Sequence, residues 1–457
     1  MKNKKDIATE NNRTIFFKPQ KLFDGQNHLI TSPIWLQNTA LACLCVYVYA
    51  WYLFNDFSGI FNNLLVLIGI YLYCRKNHTI SILRDPVILL FAGVILTQLI
   101  SWYLATQSHP DLASSSPKVH QMGVWFKMIP IAIILGGRTD RVLLCWFLAL
   151  AALLSASFVS GGGISEWLSG LSGRRVDFGI NNAQHTAMLA GVLLISLLAV
   201  FSSHINGSPL QRFWLYALLL FSLCLISALV VFTQTRAVWL GLLSSMPLLL
   251  LSILFLKKQS LSSIIRSFFI GVLLVLLLMF SFQDIIQKRF TLLAQIFEST
   301  PEITISERLM QDRSFFLRAA TWKDSLKWSA ERPLLGWGGN IEKHIVAETS
   351  IRLEKKIHFR HLHNSYLETL SNYGVFGLTI LLLLCAYLVF CAHKSWRSNT
   401  MPTPIYVFLI GFLPFWTVIN IFESYFYYSS GEYILAIVGG IILTYYWKHT
   451  DKKHKNI

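Results

Sequence analysis

The chain has 457 residues, 54% of them hydrophobic, and a formal net charge of +16. The apolar residues gather into blocks of about 20, the length that crosses a hydrocarbon layer as a helix, which excludes an ordinary water-soluble globular chain. Unpaired backbone groups in lipid restrict spanning segments to helices or closed barrels, and continuous Leu-rich blocks without alternation select helices.

In chain order, residues 1–32 are polar and form an expected cytoplasmic N-terminal tail. No cleavable signal is expected, because the first apolar block begins after that tail and is long enough to remain as a span. Roughly twelve spans are predicted, at 33–54, 57–74, 86–105, 122–136, 141–158, 184–204, 213–233, 236–256, 263–280, 373–393, 404–421 and 431–447. The expected organisation is transmembrane helices in 33–280, a large loop over 281–372 that runs into a candidate catalytic motif, three further helices in 373–447 and a tail over 448–457. Lysines and arginines crowd the tails and alternate loops, whereas the short loops opposite hold only Lys118, Arg174, Arg175 and Arg236. That asymmetry is the positive-inside signature. It puts both termini in the cytoplasm, puts the large loop outside, and makes the basic charge a topological signal, so no nucleic-acid partner is expected.

The large loop has its own pattern. Ile286, Phe290, Leu293 and Phe297 recur at helical spacing, as do Phe315, Ala319, Trp322 and Leu326. Each stripe suits an amphipathic helix that lies on the membrane face or packs over the spans. Pro333, Gly336, Gly338 and Gly339 then interrupt the helical pattern. The seven cysteines lie in or beside spans and none lies in the loop, so no disulfide framework is expected there.

The candidate chemistry collects on the outside face. Arg174 and Arg175 lie in a Gly/Ser-rich loop that leads to Asn181, Asn182 and His185 at the head of the next span. Arg236 opens the eighth span in Thr233-Gln234-Thr235-Arg236, and Arg318 lies in the large loop. An arginine at a membrane boundary also snorkels to headgroups, but several on an otherwise base-poor face suit bidentate binding of phosphate oxygens. His361 and His363 stand in Arg360-His361-Leu362-His363-Asn364, just before a span that carries Gly374 and Gly377. Imidazole moves protons near neutral pH. The pair lacks the third ligand and spacing of a recognised zinc motif, so no metal or other cofactor is expected. Glu423 follows the eleventh span, where it is available to orient a histidine or contact a sugar hydroxyl.

These motifs together resemble the bacterial O-antigen ligase family, within the ligase/polymerase superfamily of polytopic glycosyltransferases. His363-Asn364, nine residues, Gly374-Val375-Phe376-Gly377 is similar to the ligase signature His-Asn-x9-Gly-x-x-Gly. Thr235-Arg236-Ala237-Val238-Trp239-Leu240 is similar to the family's Ser/Thr-Arg-x-x-Trp-Leu element, and the stretch from Arg318 to Gly338 to its Arg…Pro-Leu-Leu-Gly-x-Gly element. The resemblance implies an all-α polytopic protein with about twelve transmembrane helices and one large periplasmic loop containing amphipathic helices, in the bacterial inner membrane. It implies transfer of a polysaccharide from undecaprenyl diphosphate to a sugar hydroxyl of lipid A–core on the periplasmic face, with inversion and without metal. Its partners would be that lipid-linked donor, the lipid A–core acceptor and membrane lipids.

In this reading His363, Arg236 and Arg318 are catalytic, while Arg174, Arg175, His361, Asn364 and Glu423 bind diphosphate or sugar. His363 either takes the acceptor proton or hydrogen-bonds the diphosphate. Three other readings stand beside this one: a protein O-oligosaccharyltransferase using the same donor, an O-antigen polymerase, and a transporter of an anionic solute. Transport would place polar residues at mid-membrane, whereas here they cluster at one face.

Overall fold

The computed structural model describes residues 14–15, 27, 29, 32–53, 55–74, 82–201, 204–205, 208–257, 313–354, 357 and 359–455. These form an all-helical bundle apart from one parallel strand pair, in which β1 (Thr14–Ile15) joins β2 (His204–Ile205). The helices are α1 (Ile34–Leu53), α2 (Asn55–Cys74), α3 (Pro86–Ser108), α4 (His120–Gly123), α5 (Met128–Leu135), α6 (Thr139–Val159), α7 (Ile164–Leu171), α8 (Ala183–Phe201), α9 (Pro209–Phe232) and α10 (Arg236–Lys257). After 258–312 come α11 (Arg313–Glu331), α12 (Ile341–Arg352), α13 (Ser365–Arg397), α14 (Thr403–Phe422) and α15 (Ser429–Lys455).

Eight of these, α1, α3, α6, α8, α9, α10, α13 and α14, are long and apolar enough to cross a membrane. Of the remaining expected spans, 57–74 and 122–136 are shorter apolar helices, and the second is broken by a 3₁₀ turn at Val124–Lys127. The span expected at 431–447 is a helix that continues past residue 447 to Lys455, through the stretch expected as a tail, and it is not among the eight. The span expected at 263–280 and the stripe Ile286, Phe290, Leu293 and Phe297 lie outside the described residues.

Local chemistry explains several boundaries. Asp85 caps α3 by accepting from the Val87 amide, and Pro86 occupies the first turn, where its missing N–H costs nothing. The same carboxylate accepts from the Tyr387 hydroxyl at 2.6 Å and the Trp447 indole at 2.8 Å, which ties α3, α13 and α15 together. Close helix approach uses small residues: a Cβ on Gly241 of α10 would meet Ile419 of α14 at 2.8 Å. The end of the bundle with Asp85 is rich in bases. There Arg138 pairs with Asp140, Arg141 donates to the Ile134 carbonyl, and Lys448 donates to the Gly137 carbonyl.

The opposite end holds the candidate site, and α13 shapes it. This helix begins at Ser365, ahead of the apolar stretch predicted from residue 373, and kinks at Gly374 (φ 65°, ψ −164°). That conformation is essentially restricted to glycine. The segment Pro333–Gly338 docks into the kink. The Val375 and Phe376 amides donate to the Pro333 and Leu334 carbonyls, and the Trp337 and Gly338 amides donate to the Ser371 and Asn372 carbonyls. Backbone groups released by the break therefore find partners. A Cβ on Gly374 would lie 2.3 Å from the Leu334 carbonyl carbon, and one on Gly336 would lie 2.6 Å from that of Asn372. The two glycine motifs thus read each other as backbone surfaces.

The face that α11 buries differs from the predicted stripe. Leu317, Thr321, Asp324, Ser325 and Ser329 are buried, whereas Leu326 is exposed. Ser325 and Ser329 both hydrogen-bond the Ser371 hydroxyl of α13, at 2.8 and 3.0 Å. Small polar residues decide this packing, and an apolar-stripe argument passes over them.

Candidate functional site

The residues Arg360–Asn364 lead into α13. Asn364 caps the helix, its Oδ1 accepting from the Tyr366 and Leu367 amides at 3.1 Å. Leu362 is fully buried in a small cluster with Trp337, Ile341, Ile345 and Val346. Its carbonyl accepts from the Trp322 indole at 2.7 Å and its amide donates to Glu368 Oε2 at 3.2 Å. Anchoring Leu362 sends the two neighbouring histidines outward, and His363 takes a left-handed conformation (φ 51°) to do so.

His363 Nδ1 lies 2.5 Å from Glu423 Oε1, with the histidine side chain 12% exposed and the carboxylate 2%. Burial alone would raise the Glu423 pKa. The hydrogen bond and charge of His363, the charge of Arg318 and the Ser424 amide outweigh it and hold the carboxyl below its ordinary value. An ionised Glu423 accepts the Nδ1 proton, so the free lone pair is on Nε2. Among the described residues Nε2 has no hydrogen-bond partner.

Arg318 of α11 acts electrostatically on the same carboxylate. Its Nη1 donates to the Phe422 carbonyl at 2.9 Å. Gln184, at the start of α8, bridges the two charges: its amide oxygen accepts from Arg318 Nη2 at 2.9 Å and its amide nitrogen donates to Glu423. This orientation is assigned from the surrounding donors and acceptors. The Tyr425 hydroxyl donates to the Gln184 carbonyl at 2.9 Å, which fixes the head of α8 against the turn after α14.

Of the other candidate arginines, Arg175, from the segment between α7 and α8, reaches the α9–α10 junction. Arg175 Nε donates to the Thr233 carbonyl at 3.1 Å, and the Thr235 hydroxyl donates to the Ala183 carbonyl at 3.3 Å, beside Gln184. Arg236 is the first residue of α10, partly buried, and Arg174 is exposed. Arg175 and Arg318 both act electrostatically on the Tyr425 phenol. Arg175 therefore lies within electrostatic reach of the turn after Glu423; among the described residues no contact ties Arg174 to it.

His361 belongs to a second pair. Its Nδ1 lies 2.8 Å from Glu368 Oε1, and the Glu368 side chain is completely buried. Ser424 joins the two pairs, with its amide on Glu423 Oε1 at 3.1 Å and its hydroxyl on Glu368 Oε2 at 2.6 Å. Glu342 of α12 completes this side. Burial, then the Glu368 charge, pushes its pKa up to about 7. Ligand atoms of Glu342, His361 and Glu368 lie within 4.8 Å of one another, a set that could gather a metal ion. Glu368 is already satisfied by His361, the Leu362 amide and Ser424, and Glu342 accepts from Asn372 Nδ2 at 3.1 Å. The carboxylates of the set are thus already committed to hydrogen bonds within the protein.

Sequence reasoning missed Gln184, Ser424 and Glu342. Gln184 had a signal: it sits in the polar run Asn181–His185 at the head of an apolar helix, and polar residues in such helices face the protein interior. Ser424 and Glu342 had none, because their partners are distant in sequence. Residues 220–382 match the family described as O-antigen ligase. That stretch contains Arg236, Arg318, both histidines and the two glycine motifs, and leaves out Arg174, Arg175, Gln184 and Glu423. No curated protein matches the chain.

Proposed function

We propose that this chain, with O-antigen ligase family sequence across residues 220–382, is a multi-pass glycan ligase of the bacterial inner membrane. It would transfer a polysaccharide from undecaprenyl diphosphate to a sugar hydroxyl of lipid A–core. The site would face the periplasm and both termini the cytoplasm, in keeping with the base-rich end of the bundle lying opposite it. In domain terms, 1–32 and 448–457 would be cytoplasmic, 33–280 and 373–447 would carry the spans, and 281–372 would be the periplasmic loop.

The observation that carries this reading is His363 held by buried Glu423, with Gln184 on the same carboxylate and linking it to Arg318. The acceptor oxygen attacks the anomeric carbon and gives its proton to His363 Nε2. The new glycosidic bond forms as the carbon–oxygen bond to diphosphate breaks, and undecaprenyl diphosphate leaves with the electron pair. Attack opposite the leaving group inverts the anomeric centre. Glu423 keeps the imidazole in the correct tautomer and stabilises it once protonated. Arg318, Arg236 and Arg175 meet the charge that grows on the diphosphate, with Arg174 in reserve at the rim. Asn364 serves by capping the helix that presents His363. No step calls for a metal.

The test is genetic, with two readouts. Deleting the gene, then complementing with wild type or His363→Ala at matched abundance, should leave the mutant without the lipopolysaccharide ladder while undecaprenyl-linked glycan accumulates. Losing the base costs about 10²–10⁴-fold in rate. A ladder at wild-type level in the mutant overturns the role of His363. An intact ladder with protein glycosylation lost would identify an oligosaccharyltransferase, and a ladder collapsed to one repeat would identify a polymerase.

A further inference from the structure

His361 and His363 flank one buried leucine, and each gives Nδ1 to a buried glutamate. Their surroundings otherwise differ. Glu423 shares its charge with Arg318, Gln184 and the Ser424 amide as well as with His363. Among the described residues Glu368 has no arginine partner; its other partners are the Leu362 amide and the Ser424 hydroxyl, both neutral. The groups facing His361 are Glu368 on α13, Glu342 on α12, Glu423 after α14, the Tyr428 ring at 4.6 Å and, within electrostatic reach, His185 on α8. Three are carboxyl groups.

The direction of the ring follows from its geometry. Nδ1 faces a carboxylate that is fully buried, so Nε2, on the far edge of the imidazole, turns outward. The His361 side chain is 27% exposed, against 12% for His363. Nε2 of His361 has no hydrogen-bond partner among the described residues. Tyr428 stands against the His361 ring and also feels the charge of Arg318. The His361 ring thus packs on a tyrosine that lies within electrostatic reach of the Arg318 guanidinium.

We propose that His361, braced by Glu368, is a fixed cation whose Nε2–H hydrogen-bonds a phosphate oxygen of the lipid-diphosphate donor, beside the base His363. This rests on the donor class proposed above and assigns its recognition to a residue outside the arginine set. The electrostatics agree. Burial opposes charge on His361, but the hydrogen bond and charge of Glu368, with Glu342 and Glu423, outweigh it and raise its pKa above that of a free imidazole.

The test measures binding without turnover. The purified full chain in phosphatidylcholine nanodiscs is titrated with undecaprenyl diphosphate from pH 6 to pH 9, with undecaprenol as the control that lacks phosphate. A charge-assisted hydrogen bond is worth about ten- to hundred-fold in affinity. His361→Gln should weaken binding by at least about ten-fold at pH 6 and leave a shallower pH dependence than wild type. His361→Lys, which keeps a cation, should retain affinity at both ends of the range. Glu368→Gln should move the wild-type loss of affinity to lower pH. Protonation of the diphosphate is common to every variant and cancels in the comparison. Equal affinity of His361→Gln and wild type at every pH overturns the proposal. So does an unshifted profile in Glu368→Gln, which serves as the deciding variant should His361→Gln fail to fold. If wild type itself does not distinguish undecaprenyl diphosphate from undecaprenol, the donor assignment fails and takes this proposal with it. If wild type binds and only the variant comparison fails, the ligase reading stands.

Discussion

Glu423 lies one residue beyond α14, where a carboxylate would ordinarily be solvated, yet it is 2% exposed, hydrogen-bonds the His363 and Gln184 side chains from two other elements, and feels the charge of Arg318. Its function in the proposed reaction is to set a tautomer, so the most informative change keeps its shape and removes its charge. Glu423→Gln should lower the rate by about 10²–10⁴-fold with little change in donor affinity, measured as kcat and KM with purified lipid-linked glycan. Wild-type kcat should fall as the medium is acidified through the Glu423 titration, which lies below the usual carboxylate range because of His363, Arg318 and Ser424. Arg318 is bound through two nitrogens, to the Phe422 carbonyl and Gln184. Lysine offers a point charge without that fork. Arg318→Lys should therefore lose at least about ten-fold in kcat/KM, since charge-assisted hydrogen bonds are worth roughly 1.5–3 kcal/mol; full activity in the lysine variant would remove bidentate geometry from the account. At this scale the sequence exposed the residue types, and His363 and Arg318 were legible as motif positions. That Glu423 belongs to His363 was not, because the two are 60 residues apart and only the approach of α14 to the start of α13 joins them.

The kink in α13 governs the elements. Pro333–Gly338 fits against it because neither Gly336 nor Gly374 has a side chain, and the docked segment then positions α12 and the anchor under Leu362. Gly374→Ala would force a residue with Cβ into a conformation costing about 1–3 kcal/mol, in addition to the clash with Leu334. It should lower both thermal stability and transfer, read by a melting curve and a ladder assay on the same preparation. Glu342 makes a second prediction for the α12–α13 contact. Its folded pKa, about 7, is raised above the ordinary 4.5. A group raised in this way favours folding fully below pH 4.5 and loses that contribution as pH rises through 7. The loss is at most about 3 kcal/mol. Melting temperature should therefore drop between pH 5 and pH 8 in wild type and drop less in Glu342→Gln, whose amide has no proton to lose. Spacing alone made the helix at 313–331 legible; its buried face was not, because serine–serine contacts to α13 replaced the apolar stripe.

For the whole molecule, bases gather at one end of the bundle and the histidine–glutamate pairs at the other. The proposed orientation predicts that alkaline phosphatase fused after Glu354 is active and that the same enzyme fused after Asn399 is inactive; the reverse pattern would overturn the topology and the periplasmic site together. The sequence by itself determined that the chain is helical and membrane-spanning, because hydrocarbon-length apolar blocks leave no other way to pair the backbone. It also marked which motifs matter, since histidine, arginine and glycine stand out against an apolar background. Only the tertiary structure decided which carboxylate each histidine takes, that Gln184 bridges Arg318 to Glu423, and that one glycine motif is the docking surface of the other. Those choices depend on distances between helices far apart in the chain, and local spacing contains no record of them.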